Sequence, residues 1–110
     1  MIINISSIWG QEGASCEVHY ATAKAGVHGM TKALAKELGP SHIRVNAIAP
    51  GMIQTDMNRE LQQEDIQAIQ EDIPLGTIGE PNEITKCVQW LIEDTYTTGQ
   101  IIAINGGWYM

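Results

Sequence analysis

Tyr20 and Lys24 stand four residues apart in "HYATAKAG", residues 19–26. On a helix this spacing puts the ammonium on the face of the phenol, one turn along. A phenol with a pKa of about 10 exchanges protons poorly at neutral pH, and an ammonium held close favours the phenolate. Such a pair suits proton transfer to or from a substrate oxygen. Chance also produces this spacing, and the alternative is ordinary helix surface. The elements around the pair decide between the two.

Those elements are legible. "IINI", residues 2–5, is a short apolar run that ends at Ser6-Ser7 and reads as a buried strand over 2–6. Residues 18–38 carry a helical pattern, with Val27, Met30 or Thr31, Leu34 and Leu38 as an apolar stripe and Ala21, Ala25, Gly29 and Ala33 as a stripe of small residues. Gly39-Pro40 should end that helix, with Gly39 in the left-handed cap. "IRVNAIAPG", 43–51, reads as a second buried strand over 43–48 leading to a Pro-Gly turn. Residues 52–73 are rich in Glu, Gln and Asp, with Leu61, Ile66, Ile69 and Ile73 as a thin apolar edge, and read as one or two short mobile helices. Pro81 opens a helix over 81–92 whose core face is Ile84, Cys87, Val88, Leu91 and Ile92. "GQIIAINGG", 99–107, supplies a third strand over 100–104.

Strands alternating with helices imply an α/β fold with a parallel sheet and right-handed crossovers. Parallel sheets place ligands beyond the carboxyl ends of their strands. Ser7, Pro50-Gly51 and Gly106-Gly107 all follow strand ends, so they should share one rim with the start of the Tyr20 helix. Composition excludes other classes. Six Lys plus Arg against a net charge of −7 give no positive face for nucleic acid. No apolar run approaches the roughly 20 residues that span a bilayer. Cys16 and Cys87 lack metal-ligand spacing, and Cys87 reads as core, so no metal is expected and a reducing, cytoplasmic compartment is.

"NISSIWG", Tyr20 thirteen residues after Ser7, Lys24, "IRVNAIAPG", "IQTDM", "PLG…GEPNEI" and "TGQIIAINGG" occur in this order along the whole chain. Together they resemble the C-terminal half of a short-chain dehydrogenase/reductase, a Rossmann-like doubly wound sheet represented here by three parallel strands with helices. The resemblance implies an NAD(P)-dependent oxidoreductase acting on a ketone or alcohol. It implies Ser7, Tyr20 and Lys24 as catalytic residues, with Ser7 holding the substrate oxygen, Tyr20 giving the proton and Lys24 also binding the nicotinamide ribose. Tyr20, Lys24, Pro50, Gly51, Ile53 and Thr55 would contact the cofactor, NADP or NAD, with NADP favoured. Residues 52–73 would form the substrate lid, and the full-length relative is expected to be a homodimer or homotetramer built partly on the small-residue helix.

No glycine-rich strand–turn–helix occurs in these 110 residues. In the resembled family that motif lies upstream of the serine strand. The chain therefore reads as a partial domain, 1–110, lacking the dinucleotide-binding half and inactive alone; an oligomerisation fragment or an inactive remnant are the readings from another class. Among such reductases the nearest resemblance is to those acting on 3-oxoacyl groups on acyl carrier protein. Two positions depart from it. Lys36 is offered without an arginine near the end of the helix, and Thr77 stands where arginine is frequent. "SSIWGQEGASCEVHY" resembles the branch that includes elongation factor P 5-aminopentanone reductases, whose substrate ends in a primary amine. Trp9, Glu17 and His19 would then line the substrate pocket, with Glu17 meeting the ammonium; the alternative for Glu17 is a solvated loop.

Overall fold

The computed structural model describes residues 1–110, apart from the side chain of Met57. Strands β1 (Ile2–Ile5), β2 (Val45–Pro50) and β3 (Ile101–Ile104) form a parallel sheet in the order β1-β2-β3. Four α-helices accompany them among the described residues: α1 (Trp9–Glu12), α2 (Val18–Leu38), α3 (Gln63–Asp72) and α4 (Pro81–Glu93). The α/β architecture and the parallel sheet are as the sequence implies.

Sheet order explains which strands are buried. Central β2 is sealed along Val45–Ala49, whereas β1 lies at an edge and leaves Ile5 half exposed. The expectation of a buried β1 is corrected on this point, because no strand among the described residues covers its outer side. β2 also begins and ends two residues later than 43–48. Gly39 keeps right-handed dihedrals and starts a 3-10 turn, Gly39–Ser41, with Pro40 at its first turn. His42, not Gly39, takes the left-handed conformation, at φ 59°. That turn delays the pairing, and Pro50, which cannot donate into a ladder, closes the strand.

The two faces of the sheet are covered differently. Asn4 and Ala47 are register partners, and alternation sets Ala49 on their face. Asn4 Nδ2 donates to Thr31 Oγ1, which donates to the Val27 carbonyl. Small residues on this face admit α2 closely, so Thr31 and Ala35 are its buried residues, while Val27, Leu34 and Leu38 are half-buried and Met30 is exposed. The other face carries Ile48 packed on Cys87 and Leu91 of α4, with Ile3, Ile84, Val88, Ile102 and Ile104 around them. Burial pushes the Cys87 thiol above its usual range, as expected of core. Ile92 falls off this face, because it lies one residue, about 100°, beyond Leu91.

Leu91 is fully buried at the centre of that cluster. Leu91→Ala is expected to cost about 2–5 kcal/mol, as large-to-small core substitutions do, read as a lowered denaturation midpoint at unchanged slope. Below the same helix, Asp94 Oδ2 accepts the backbone N–H of Thr97 at 2.6 Å and of Tyr96 at 3.0 Å. The Thr97 hydrogen bond first, then the Tyr96 N–H and the Arg44 guanidinium at 3.9 Å, hold this carboxyl below the usual carboxylate range. A depressed pKa contributes stability above the unfolded value, near 3.8, and loses it as pH falls through the folded value. Asp94→Asn should therefore flatten the acid limb of a stability profile below about pH 4.

Candidate active site

The cleft lies at the carboxyl ends of β1 and β2. Ser6 and Ser7 follow β1, and Ser6 N–H and Ile8 N–H donate to the Ile48 and Pro50 carbonyls, which fixes the strand exit. α1 then forms one turn, too short for any periodicity to announce it. It seats against α2 because Gly10 has no side chain. A Cβ there would stand 2.8 Å from the Lys24 carbonyl carbon and 3.0 Å from His28 Cε1.

An open cleft of about 840 Å³ sits on this rim. Ser7, Tyr20 and Lys24 all line it, as do Pro50, Gly51, Ile53 and Thr55. Ser7 Oγ accepts the Trp9 backbone N–H at 3.2 Å, which leaves its own proton free for another acceptor. Lys24 Nζ donates to the Ile5 carbonyl at 3.1 Å and lies 5.6 Å from the centroid of the Tyr20 ring. An ammonium has three donors, so this bond leaves it further capacity. Trp9 and Glu17 also line the cleft; His19 does not. It is one residue before Tyr20, about 100° around α2, and faces solvent. Among the described residues lining the cleft, Glu17 is the one acid and Lys24 the one cation.

Gly51 walls the cleft by close approach. A Cβ on it would meet Asn105 Cβ at 2.6 Å. Gly106 and Gly107 do not line the cleft as expected, because they pack on Ile73 and Pro74 at the end of α3. Trp108 takes that place. Its ring meets Trp9 edge-on at 5.4 Å, and Asn105 Nδ2 holds the Tyr109 carbonyl at 2.9 Å. Asn58, whose Nδ2 donates to the Ile53 carbonyl, and Thr85 of α4 are further polar lining residues. Trp108 and Asn58 escaped the sequence reading, although an aromatic residue directly after a glycine pair was a usable signal.

Between the two walls, the chain from Ile53 to Gly79 leaves and rejoins the body at one parallel bridge. Gln54 N–H donates to the Gly79 carbonyl and Gly79 N–H to the Met52 carbonyl. The 3-10 turn Asp56–Asn58 and α3 lie within this excursion, a single α-helix where one or two were expected.

A family model described as enoyl-(acyl carrier protein) reductase matches residues 1–109. The chain belongs to the short-chain dehydrogenase/reductase family. Among relatives, a 3-oxoacyl-(acyl-carrier-protein) reductase, FabG, of Pseudomonas aeruginosa is 49% identical over 99% of this chain and 45% of its own length. A Bacillus subtilis protein described as an uncharacterized oxidoreductase, YmfI, is 46% identical over 98% of this chain and 46% of its own. The crystal structure of a short-chain dehydrogenase/reductase, glucose/ribitol dehydrogenase, from Brucella melitensis superimposes with a TM-score of 0.92 at 34% identity, over 98% of this chain and 44% of that one. The chain thus spans about half the length of these relatives. No helix among the described residues is long and apolar enough to cross a membrane, and no group of three His, Cys, Asp or Glu among them is placed to hold a metal ion.

Proposed function

We propose that this chain is the catalytic half of an NAD(P)-dependent ketone reductase of the 3-oxoacyl-(acyl-carrier-protein) reductase type. The observation that carries the reading is that Ser7, Tyr20 and Lys24, from two different elements, line one cleft at the strand ends. The donor set there suits the nicotinamide–ribose end of a dinucleotide. Lys24 retains N–H donors for ribose hydroxyls, and the Pro50-Gly51 turn and the Ile53–Thr55 backbone form the opposite wall. Bound there, the cofactor supplies hydride to the carbonyl carbon. Ser7 donates its free proton to the substrate oxygen and orients it. Tyr20 transfers its phenolic proton to that oxygen, and Lys24 stabilises the phenolate left behind. The excursion from Ile53 to Gly79 serves as the substrate lid.

One observation favours a narrower substrate class. Glu17 lines the same cleft as Trp9 and Trp108, and a carboxylate and aromatic rings in one cleft suit a ketone whose far end is a primary ammonium. A 5-aminopentanone-type substrate on a modified lysine is the second reading. We place the complete protein in the cytoplasm, where the two unpaired thiols of these 110 residues stay reduced. Its subunits would pair through the exposed small residues of α2, Ala25, Gly29 and Ala33.

The test joins residues 1–110 to the nucleotide-binding half of the Pseudomonas relative and follows NADPH and NADH oxidation with a 3-oxoacyl thioester and with an amino ketone. Turnover of either ketone is the expected result, and selective loss of the amino ketone in Glu17→Gln would favour the second reading. A folded hybrid that binds cofactor yet reduces neither ketone overturns the proposal.

A further inference from the structure

The residue before Ser7 makes two contacts that the reaction above does not use. Ser6 is buried, and its Oγ lies 3.2 Å from the Lys24 carbonyl oxygen and 2.5 Å from His28 Nε2. A hydroxyl has one proton. If Ser6 gives it to the Lys24 carbonyl, the second contact is a hydrogen bond only when His28 Nε2 carries a proton and donates to Ser6 Oγ. Both contacts are satisfied together only when His28 Nε2 carries a proton, which in the neutral ring means the Nε2–H tautomer. A neutral ring is consistent with its surroundings, since burial first and the Lys32 ammonium second hold His28 below the ordinary histidine range.

Three consecutive residues at the exit of β1 are thereby assigned to the site. Ile5 takes the Lys24 ammonium through its carbonyl, Ser6 takes the Lys24 backbone and His28 through its hydroxyl, and Ser7 faces the cleft. Lys24 is held at both ends by adjacent residues, the last of β1 and the one after it. His28 lies one turn beyond it, and Gly10 of α1 closes over the ring. We propose that Ser6 and His28 are a positioning pair, which fixes the register of α2 against the end of β1 and so the placement of Lys24 and Ser7. The proposal rests on the reductase reading for its kinetic consequence, and on the hydrogen-bond geometry alone for its structural one.

The structural arm uses the 110-residue chain with ¹⁵N-labelled histidine. NMR should find the His28 ring neutral at pH 7.5, protonated at Nε2 and not at Nδ1, and Ser6→Ala should shift its Nε2 signal while leaving His19 and His42 unmoved. A proton on Nδ1, or averaging between tautomers, overturns the pair. The kinetic arm uses the hybrid reductase. Ser6→Ala and His28→Leu should each lower kcat by about tenfold, as a displacement of catalytic groups by a fraction of an ångström does, with KM for the cofactor raised alongside, because the displaced Lys24 also holds the ribose. The double variant should be no worse than either single one, and His28→Gln, whose amide N–H can replace Nε2–H, should restore kcat. If the variants lose thermal stability but keep kcat, or if Gln and Leu behave alike, the pair is a packing contact and the proposal is wrong. An inactive parent hybrid overturns the reductase reading instead, and the tautomer result then decides the pair by itself.

Discussion

Tyr20→Phe in the hybrid reductase is expected to lower kcat by about 10²–10⁴-fold, the usual worth of general acid–base catalysis, while cofactor affinity stays near that of the parent. The substitution removes one oxygen and keeps the ring, so the contact between the Lys24 ammonium and the ring face survives. Lys24→Met should behave differently. It deletes the charge that stabilises the phenolate and the donor that reaches the ribose, and it abandons the Ile5 carbonyl. Rate and cofactor KM should therefore worsen together, the pattern of a group used in both ground and transition states. Stopped-flow traces of NADPH oxidation with isotope-labelled cofactor separate the two. A Tyr20→Phe hybrid with parental kcat on a ketone would make the "YATAK" turn ordinary helix surface.

The 110-residue chain by itself should show no nicotinamide-dependent turnover and no saturable NAD or NADP binding at millimolar cofactor. Its cleft offers the ribose and nicotinamide walls, but these residues contain no glycine-rich turn to take the pyrophosphate on a helix N-terminus. Anion recognition of that kind supplies much of a dinucleotide's affinity, and without it the ordering cost of binding is not offset. Isothermal calorimetry against both cofactors is the direct measurement. A dissociation constant in the micromolar range for this chain alone would show that the missing motif is dispensable.

How much of this was legible in the residues follows from the range of the forces involved. α2 was readable to the residue, Val18–Leu38, because its periodicity extends over 21 residues and strong punctuation follows. Pro81 marked the start of α4 for the same local reason. The burial of β1 was misread because a four-residue apolar run looks alike at the centre and at the edge of a sheet, and only the strand order separates them. The left-handed residue moved from Gly39 to His42 because the chain's path into β2, a tertiary demand, decided it. In the site, residues tied to Tyr20 by chain proximity or motif order were found. Trp108 and the Ser6–His28 contact were not, since each depends on side chains brought together from segments far apart in the sequence; Asn58 was not, since its place in the cleft depends on how the excursion after Ile53 folds back.

The outer side of β1 has a consequence for handling the molecule. Ile2 N–H and Ser6 N–H point to β2, so with a period of two the amides of Ile3 and Ile5 point the opposite way. Natural sheets blunt such a border with lysine, proline or a bulge, and "IINI" contains none of these. Met1, Ile2 and Ile5 add exposed apolar surface beside it. This is a template for adding strands. Residues 1–110 expressed by themselves are therefore expected to self-associate along this edge, which the elution volume in size-exclusion chromatography would read. Supplying a complementary strand in the same polypeptide removes the template, and a lysine in place of Ile2 would blunt it.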